Sequence, residues 1–313
     1  MRVVISEFMD EAAVASLVAA HDTLYDERLA ERPDELRQRL ANADALIVRN
    51  RTQVSGDLLA VATRLQVVGR LGVGLDNIDV DACRARRIEV IPATGANALA
   101  VAEYVIGVAM HLLRGAYTST SAMAQGGWPR AALSAGREVG GKTLGIVGFG
   151  NIGRLVTRLG RAVGMRTVGC DVAIPETSSV WSEQGAQPRE FAALLAEADV
   201  VTLHVPLVAA TRNLIDAGRL AQMKRGAILI NTSRGGIADE TAIASALRSG
   251  HLGGAALDVF AQEPLVAGSP LAGCPNLLLT PHIAGVTAES NVRVSSMIAE
   301  KVIAALRARR AAD

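Results

Sequence analysis

The sequence predicts an α/β protein with doubly wound parallel sheets, and three observations carry that prediction. Short aliphatic and β-branched runs alternate with helical patterns almost throughout the chain. Those runs are continuously apolar, as strands are when helices cover both faces of a parallel sheet. At 313 residues the chain is long enough for two domains, each with its own core.

Taken in order, the first strands are "VVIS" (3–6), "ALIVRN" (45–50), "LQVVGR" (65–70) and "IEVI" (88–91), with the helix "PDELRQRLANA" among them. A long apolar helix follows over 98–115. From Thr118 to Gly141 the pattern is least regular, with "QGGWPR" and "GREVGGK". So long a connection inside a compact domain has its own task, such as a dimerisation arm or a lid. The second series is "TLGIVG" (143–148), "TVGCD" (167–171), "DVVTLHV" (199–205), "AILINTS" (227–233), "AALDV" (255–259) and "NLLLT" (276–280). Helices such as "NIGRLVTRLGRAV" and "EFAALLAEA" separate these strands, and Thr287 to Arg310 is helical with a basic end.

Aromatic residues make up only 3% of the chain, so Ala, Val, Leu and Ile must build the core. Lys plus Arg number 32 against 31 for Asp plus Glu, a net charge of +1, which offers no overall field for nucleic acid or an acidic membrane. The N-terminal "MRVVISEFMDEAA" meets acidic residues too early for a signal peptide. The most apolar stretch, "VAEYVIGVAMHLLRGAY", contains Glu103, His111 and Arg114 and reads as a buried helix, not a membrane span. Cys83, Cys170 and Cys274 are widely spaced and lack a CxxC pairing, which suggests reduced structural thiols in a cytoplasmic protein. No metal site is expected.

One turn announces a ligand. "TLGIVGFGNIGRLVTRLG" is a strand, then Gly148-Phe149-Gly150-Asn151-Ile152-Gly153, then an amphipathic helix. The first glycine allows the tight turn, the second lets backbone approach a pyrophosphate, and the third packs helix against strand with the anion at the helix N-terminus. The next strand ends in Asp171, eighteen positions after Gly153. A carboxylate there accepts hydrogen bonds from ribose hydroxyls and repels a 2′-phosphate, and no arginine follows in "DVAIPE", so NAD is favoured over NADP.

Three further residues stand directly after strands of the same half. Arg234 follows "AILINTS", Glu263 lies beyond "AALDVF", and His282 follows "NLLLTP". Open parallel sheets bind ligands at the carboxyl ends of their strands. A nicotinamide enzyme acting on a 2-oxo acid needs a cation for the carboxylate, a proton donor for the developing alkoxide, and a partner for that donor. Arginine grips a carboxylate through two parallel hydrogen bonds. A glutamate beside His282 favours its protonated form.

At these residues the chain resembles the D-isomer-specific 2-hydroxyacid dehydrogenase family, and its phosphoglycerate dehydrogenase branch in particular. The matching segments are "VVGRLGVGLDNIDV", "GANALAVAEYVIG", "GKTLGIVGFGNIG", "LHVPL", "MKRGAILINTSRGGIAD", "AALDVFAQEP" and "LLLTPHIAG". The resemblance implies a Rossmann dinucleotide-binding domain (99–285) inserted into a flavodoxin-like substrate domain made of both chain ends (1–98 and 286–313), with an arm at 118–141 that forms a homodimer. It implies catalytic roles for Arg234, Glu263 and His282. Cofactor contacts are implied at Asn151, Ile152, Asp171, His204, Thr232, Ser233 and Gly285, with Pro206 and Thr211 flanking the adenine and Asp258 binding the nicotinamide carboxamide. The substrate carboxylate would meet the amides of Val73 and Gly74, with Asn97 nearby. Because the chain stops at residue 313, the regulatory domains of some phosphoglycerate dehydrogenases, and serine feedback through them, are not expected. Formate dehydrogenases of the family carry Gln where this chain has Glu263, which argues against formate.

"LIVRNRT" and "VVGRLG" place Arg49, Arg51 and Arg70 at or just past the ends of two substrate-domain strands. In the phosphoglycerate branch, arginines matching Arg49 and Arg70 approach the substrate's phosphate. Pairing with domain carboxylates such as Asp76 or Asp79 is the other explanation. The expected activity is hydride transfer between NAD(H) and a small 2-hydroxy or 2-oxo acid, of the 3-phosphoglycerate or 3-sulfolactate type. A glyoxylate or hydroxypyruvate reductase, an NADH-sensing protein like the C-terminal-binding corepressors, and a phosphite dehydrogenase stay open.

Overall fold

A computed structural model describes residues 1–312, and the chain divides into two compact units. The first comprises residues 1–97 together with the segment from Val286 onward. Its sheet contains β1 (Arg2–Ile5), β2 (Asp22–Tyr25), β3 (Ala45–Val48), β4 (Val67–Arg70) and β5 (Glu89–Pro92), all parallel, in the order β2-β1-β3-β4-β5. This is the flavodoxin-like order, with its switch point between β1 and β3. Successive strand residues face opposite layers. Val3, Ile5, Ala45, Ile47 and Val67 pack against Leu17, Val294, Ile298, Val302 and Leu306. Val4, Leu46, Val48 and Val68 meet Leu36, Leu40 and Leu59 on the other side. The four-residue spacing of Val294, Ile298, Val302 and Leu306 makes one stripe along the helix Ala288–Ala312. That helix packs so closely that a Cβ at Gly69 of β4 would come within 2.8 Å of Ile298 Cγ2. The chain's last helix thus completes its first sheet.

The second unit spans Ala98–Gly285. Its seven strands are β6 (Thr143–Val147), β7 (Arg166–Cys170), β8 (Gln187–Pro188), β9 (Val200–Leu203), β10 (Ala227–Asn231), β11 (Leu252–Leu257) and β12 (Leu277–Leu279), parallel in the order β12-β11-β10-β9-β6-β7-β8. The order reverses between β6 and β9, so the ligand crevice is expected just beyond their C-terminal ends. The helices Ala98–Arg114 and Asn151–Ala162 cover one face through Val101, Val105, Leu112 and Val156. Phe191–Glu197, Ala217–Gln222 and Glu240–Arg248 cover the other through Leu194, Leu220, Ile243 and Leu247. Each such aliphatic side chain, fully buried, contributes about 1.5–3 kcal/mol. The parallel α/β reading holds for both units.

Several elements were not legible from the pattern. β2 has no fully buried residue and β8 is two residues long, so neither shows a continuous apolar run. The stretch at 118–141 is less irregular than expected, for it contains the short helices Thr120–Ala124 and Arg130–Leu133, neither with a buried residue. Among the described residues, no single helix is long and apolar enough to cross a membrane.

Candidate active site

The glycine turn after β6 has the predicted shape. Gly148 takes φ +93°, and a Cβ there would sit 2.4 Å from the carbonyl oxygen of His204. A Cβ on Gly153 would lie 2.3 Å from the carbonyl oxygen of Gly148, so the helix Asn151–Ala162 can start only because that residue has no side chain. Gly150, by contrast, faces open space, and as N-cap it has no side chain to occupy the first-turn amides. Uncapped amides beside open space suit a pyrophosphate. Asp171 follows β7 and accepts from the amides of Phe149 (2.7 Å) and Ala173 (2.8 Å), which aims the carboxylate at the turn. A further mark of a missing partner is Thr232 Oγ1, buried without a hydrogen bond. These residues fit a dinucleotide. Replacing Asp171 with Asn should keep the shape but remove the repulsion toward a 2′-phosphate, shifting the NADPH-to-NADH ratio of kcat/KM upward by about ten-fold. An unchanged ratio in steady-state assays would take Asp171 out of cofactor selection.

After β9, His204 Nε2 lies 3.0 Å from Thr202 Oγ1, and desolvation pushes the imidazole down to about 3, so it is neutral near physiological pH. Thr211 Oγ1 donates to the Pro206 carbonyl and accepts from the Val208 amide (2.9 Å), folding the loop that carries both expected adenine neighbours.

Arg234 stands three residues past the end of β10. Asn231, the last strand residue, is buried and holds the loop in shape, because its Oδ1 accepts from Ser233 N (3.0 Å) and its Nδ2 donates to the Arg234 carbonyl (3.0 Å). Arg234 Nη1 donates to the Ser233 carbonyl at 2.6 Å, which sets the direction of the guanidinium. The glycine after it is a packing requirement: a Cβ on Gly235 would be 1.8 Å from the carbonyl oxygen of Phe260. That contact draws the Arg234 loop against the loop that carries Glu263.

Glu263 and His282 are joined directly. Glu263 Oε1 accepts from the Phe260 amide (3.0 Å), and Oε2 lies 2.8 Å from His282 Nδ1. With Nδ1 engaged by the carboxylate, Nε2 is the ring nitrogen left for chemistry. His282 takes φ +56°, a left-handed conformation held by its amide, which donates to the carbonyls of Asp258 (2.9 Å) and Thr280 (3.0 Å). Asp258 is only 1% exposed. Its carboxylate accepts from Thr280 Oγ1 (2.6 Å), Ile283 N (2.8 Å) and Ala284 N (2.8 Å), so it shapes the His282 loop through to Gly285. Tyr104 extends this chain from the helix Ala98–Arg114, with its hydroxyl 2.7 Å from Thr280 Oγ1. Asn231 and Thr280, at strand ends, and Tyr104, within a helix, were not singled out in the sequence, where such polar residues look like many others.

The expected substrate residues all lie in the first unit, at the C-terminal edge of its sheet. Arg49 and Arg51 follow β3, where Arg49 Nη2 donates to Asn291 Oδ1 (2.6 Å) and Arg51 Nη1 to Glu31 Oε1 (2.8 Å). Arg70 ends β4 and donates to the carbonyls of Leu71 (2.8 Å) and Gly74 (2.9 Å). It thereby folds the loop that presents Val73 and Gly74. Asn97 Oδ1 is buried without a hydrogen bond. Asp79 caps a helix through the Ala82 amide (2.9 Å), and so serves its own element.

Comparison with known proteins identifies the family. Residues 106–284 match the family described as D-isomer specific 2-hydroxyacid dehydrogenase, NAD binding domain. The chain is 52% identical over 304 residues to an (S)-sulfolactate dehydrogenase of Chromohalobacter salexigens, covering 97% of this chain and 98% of that one. It is 38% identical to a D-3-phosphoglycerate dehydrogenase of Methanocaldococcus jannaschii over 88% of this chain, and spans about half (52%) of that relative's length. A crystal structure of D-lactate dehydrogenase from Aquifex aeolicus, complexed with NAD and lactic acid, superposes with a TM-score of 0.83 at 27% identity, covering 98% of this chain and 96% of that one. The chain belongs to the D-isomer specific 2-hydroxyacid dehydrogenase family and is an NAD-dependent oxidoreductase.

Proposed function

We propose that the acid this enzyme oxidises, or reduces as its 2-oxo form, carries a second anionic group at its far end, and that this group is a sulfonate. The observation that carries the reading is the pair Arg49 and Arg51 beside the β1/β3 switch point, lining with Arg28 a depression of about 280 Å³ whose wall also carries Glu7, Glu27 and Glu31. Planar guanidinium groups at a strand-end crevice suit a tetrahedral oxyanion. Among such acids, the 52% identity to a sulfolactate dehydrogenase favours 3-sulfolactate over 3-phosphoglycerate.

In this reading Arg234 grips the carboxylate and polarises the 2-oxo group. His282 Nε2 gives its proton to the carbonyl oxygen during reduction and takes it back during oxidation. Glu263 holds the ring through Nδ1. NAD(H) supplies the hydride carrier, received at the turn Gly148–Gly153 with Asp171 at the ribose and Thr232 and Ser233 alongside. The first unit is the acid-binding domain. Arg70 serves it by holding the 71–74 loop.

The arm at 118–141 leaves Trp128 74% and neighbouring Tyr117 61% exposed, and a second copy of the chain would cover them. A homodimer is therefore part of the proposal, as is a cytoplasmic location, and light scattering on the purified protein measures the oligomeric state.

A singly charged acid is the second reading. The Arg51–Glu31 ion pair and the Arg49–Asn291 bond give these arginines partners within their own unit, and a similar structure holds lactic acid. Initial rates of NADH oxidation decide between them. A strong preference for 3-sulfopyruvate over hydroxypyruvate and glyoxylate is expected, with 3-phosphohydroxypyruvate behind it. Equal or better rates with the singly charged acids would return Arg49 and Arg51 to structural roles.

A further inference from the structure

Glu7 is the first charged residue after β1, and its carboxylate is buried, with only 3% of the residue exposed. A buried charge persists only when paired or hydrogen-bonded. Here four consecutive main-chain amides supply the bonds. Oε1 accepts from Arg49 N (2.9 Å) and Thr52 N (3.0 Å), and Oε2 from Asn50 N (3.2 Å) and Arg51 N (3.0 Å). Burial by itself pushes the carboxyl upward, and the amides of Thr52, Arg51 and Arg49 more than reverse this, so the group stays ionised.

The same loop is held from its carbonyl side. Asn77, also buried, donates Nδ2 to the carbonyls of Thr52 (2.7 Å) and Arg49 (3.3 Å). Ser6 Oγ and Thr52 Oγ1 meet at 2.9 Å. The loop is thus pinned by four amides and, at Arg49 and Thr52, by carbonyls as well, and the Arg49 and Arg51 side chains line a depression together with Glu7, Phe8, Glu27, Arg28 and Glu31. Phe8 carries the Arg49 guanidinium 5.7 Å above its ring. An arginine has a long, flexible stem, so its aim depends on how firmly its own backbone is fixed.

We propose that Glu7 is a positioning residue for substrate selection: by gathering the amides of residues 49–52 it fixes the bases of Arg49 and Arg51, and so sets the affinity for the second anionic group. The proposal rests on the reading that these arginines bind that group. A charge effect alone has the opposite sign, because removing a carboxylate near an anion site strengthens anion binding. Position and charge can therefore be told apart.

The experiment measures kcat and KM for 3-sulfopyruvate and for hydroxypyruvate, with NADH, in wild type, Glu7→Gln, Glu7→Asp, Arg49→Ala and Arg51→Ala. Thermal melts and NADH fluorescence titrations check folding. Glu7→Gln replaces two acceptor oxygens by one and sets an NH2 group against the amides. It is expected to raise KM for 3-sulfopyruvate by about ten-fold, with kcat and the hydroxypyruvate KM nearly unchanged. Glu7→Asp keeps the charge but falls one methylene short, and should move the same KM in the same direction. A lowered sulfopyruvate KM in Glu7→Gln, a wild-type KM in Glu7→Asp, or an equal rise for both acids overturns the proposal. If the two arginine variants lose selectivity while both Glu7 variants keep it, Glu7 alone is refuted. If the arginine variants keep selectivity, the parent reading fails and this proposal fails with it.

Discussion

Replacing Arg234 with Ala is expected to cut kcat/KM for 2-oxo acids by roughly three orders of magnitude, since an aimed cationic donor at a reacting carbonyl contributes about that much. The NADH dissociation constant should stay near the wild-type value, because the glycine turn, Asp171 and Thr232 are untouched. The loop itself should survive, since Asn231 holds it through main-chain atoms of Ser233 and Arg234, which Ala retains. Arg234→Lys is the informative companion. A lysine keeps the charge but loses the planar fork, so it should recover only a small part of the lost rate. Turnover in Arg234→Ala within ten-fold of wild type would show that the carboxylate is gripped elsewhere.

The second large effect is at His282, and the backbone dictates which substitution is clean. At φ +56° an alanine would be strained, whereas asparagine visits this region with little penalty. His282→Asn should therefore fold like wild type and lower kcat by about a thousand-fold, the range expected when general acid–base catalysis is removed. His282→Ala should lose a similar rate and also about 1 kcal/mol of stability. Glu263→Gln leaves an acceptor for the Phe260 amide but removes the charge facing Nδ1, so a smaller loss, on the order of a hundred-fold, is expected. Near-normal turnover in His282→Asn would mean that another group moves the proton. A melting curve for that variant separates a chemical defect from a folding one.

Some of the site was written locally and some was not. The turn Gly148–Gly153 is legible because Gly148 and Gly153 answer backbone contacts with the adjacent strand end or within the turn itself, while Gly150 leaves the first-turn amides open. Arg234, Glu263 and His282 are legible as strand-end residues because a parallel sheet turns sequence position into spatial position: whatever follows a strand lies on one edge. The residues that aim them escaped notice. Thr280 looked like many polar residues at strand ends, yet its hydroxyl donates to the Asp258 carboxylate, which also accepts from the amides of Ile283 and Ala284. Glu7 looked like one more early acidic residue, although it gathers amides more than forty positions away.

By itself, then, the sequence determined the α/β class, the order of apolar strands and covering helices and the nicotinamide cofactor, and it set Arg234, Glu263 and His282 apart as strand-end residues. These follow from period, from glycine geometry and from residue chemistry, all of which act over short distances along the chain. Tertiary structure alone decided that the last helix packs on the first sheet, that Gly235 presses against Phe260, that His282 and Glu263 meet at 2.8 Å, and that Glu7 sits beneath Arg49 and Arg51. Those facts depend on strand order and on buried hydrogen bonds between distant residues. A carboxylate's partners are chosen by whichever amides the fold brings to it, and no local pattern encodes that choice.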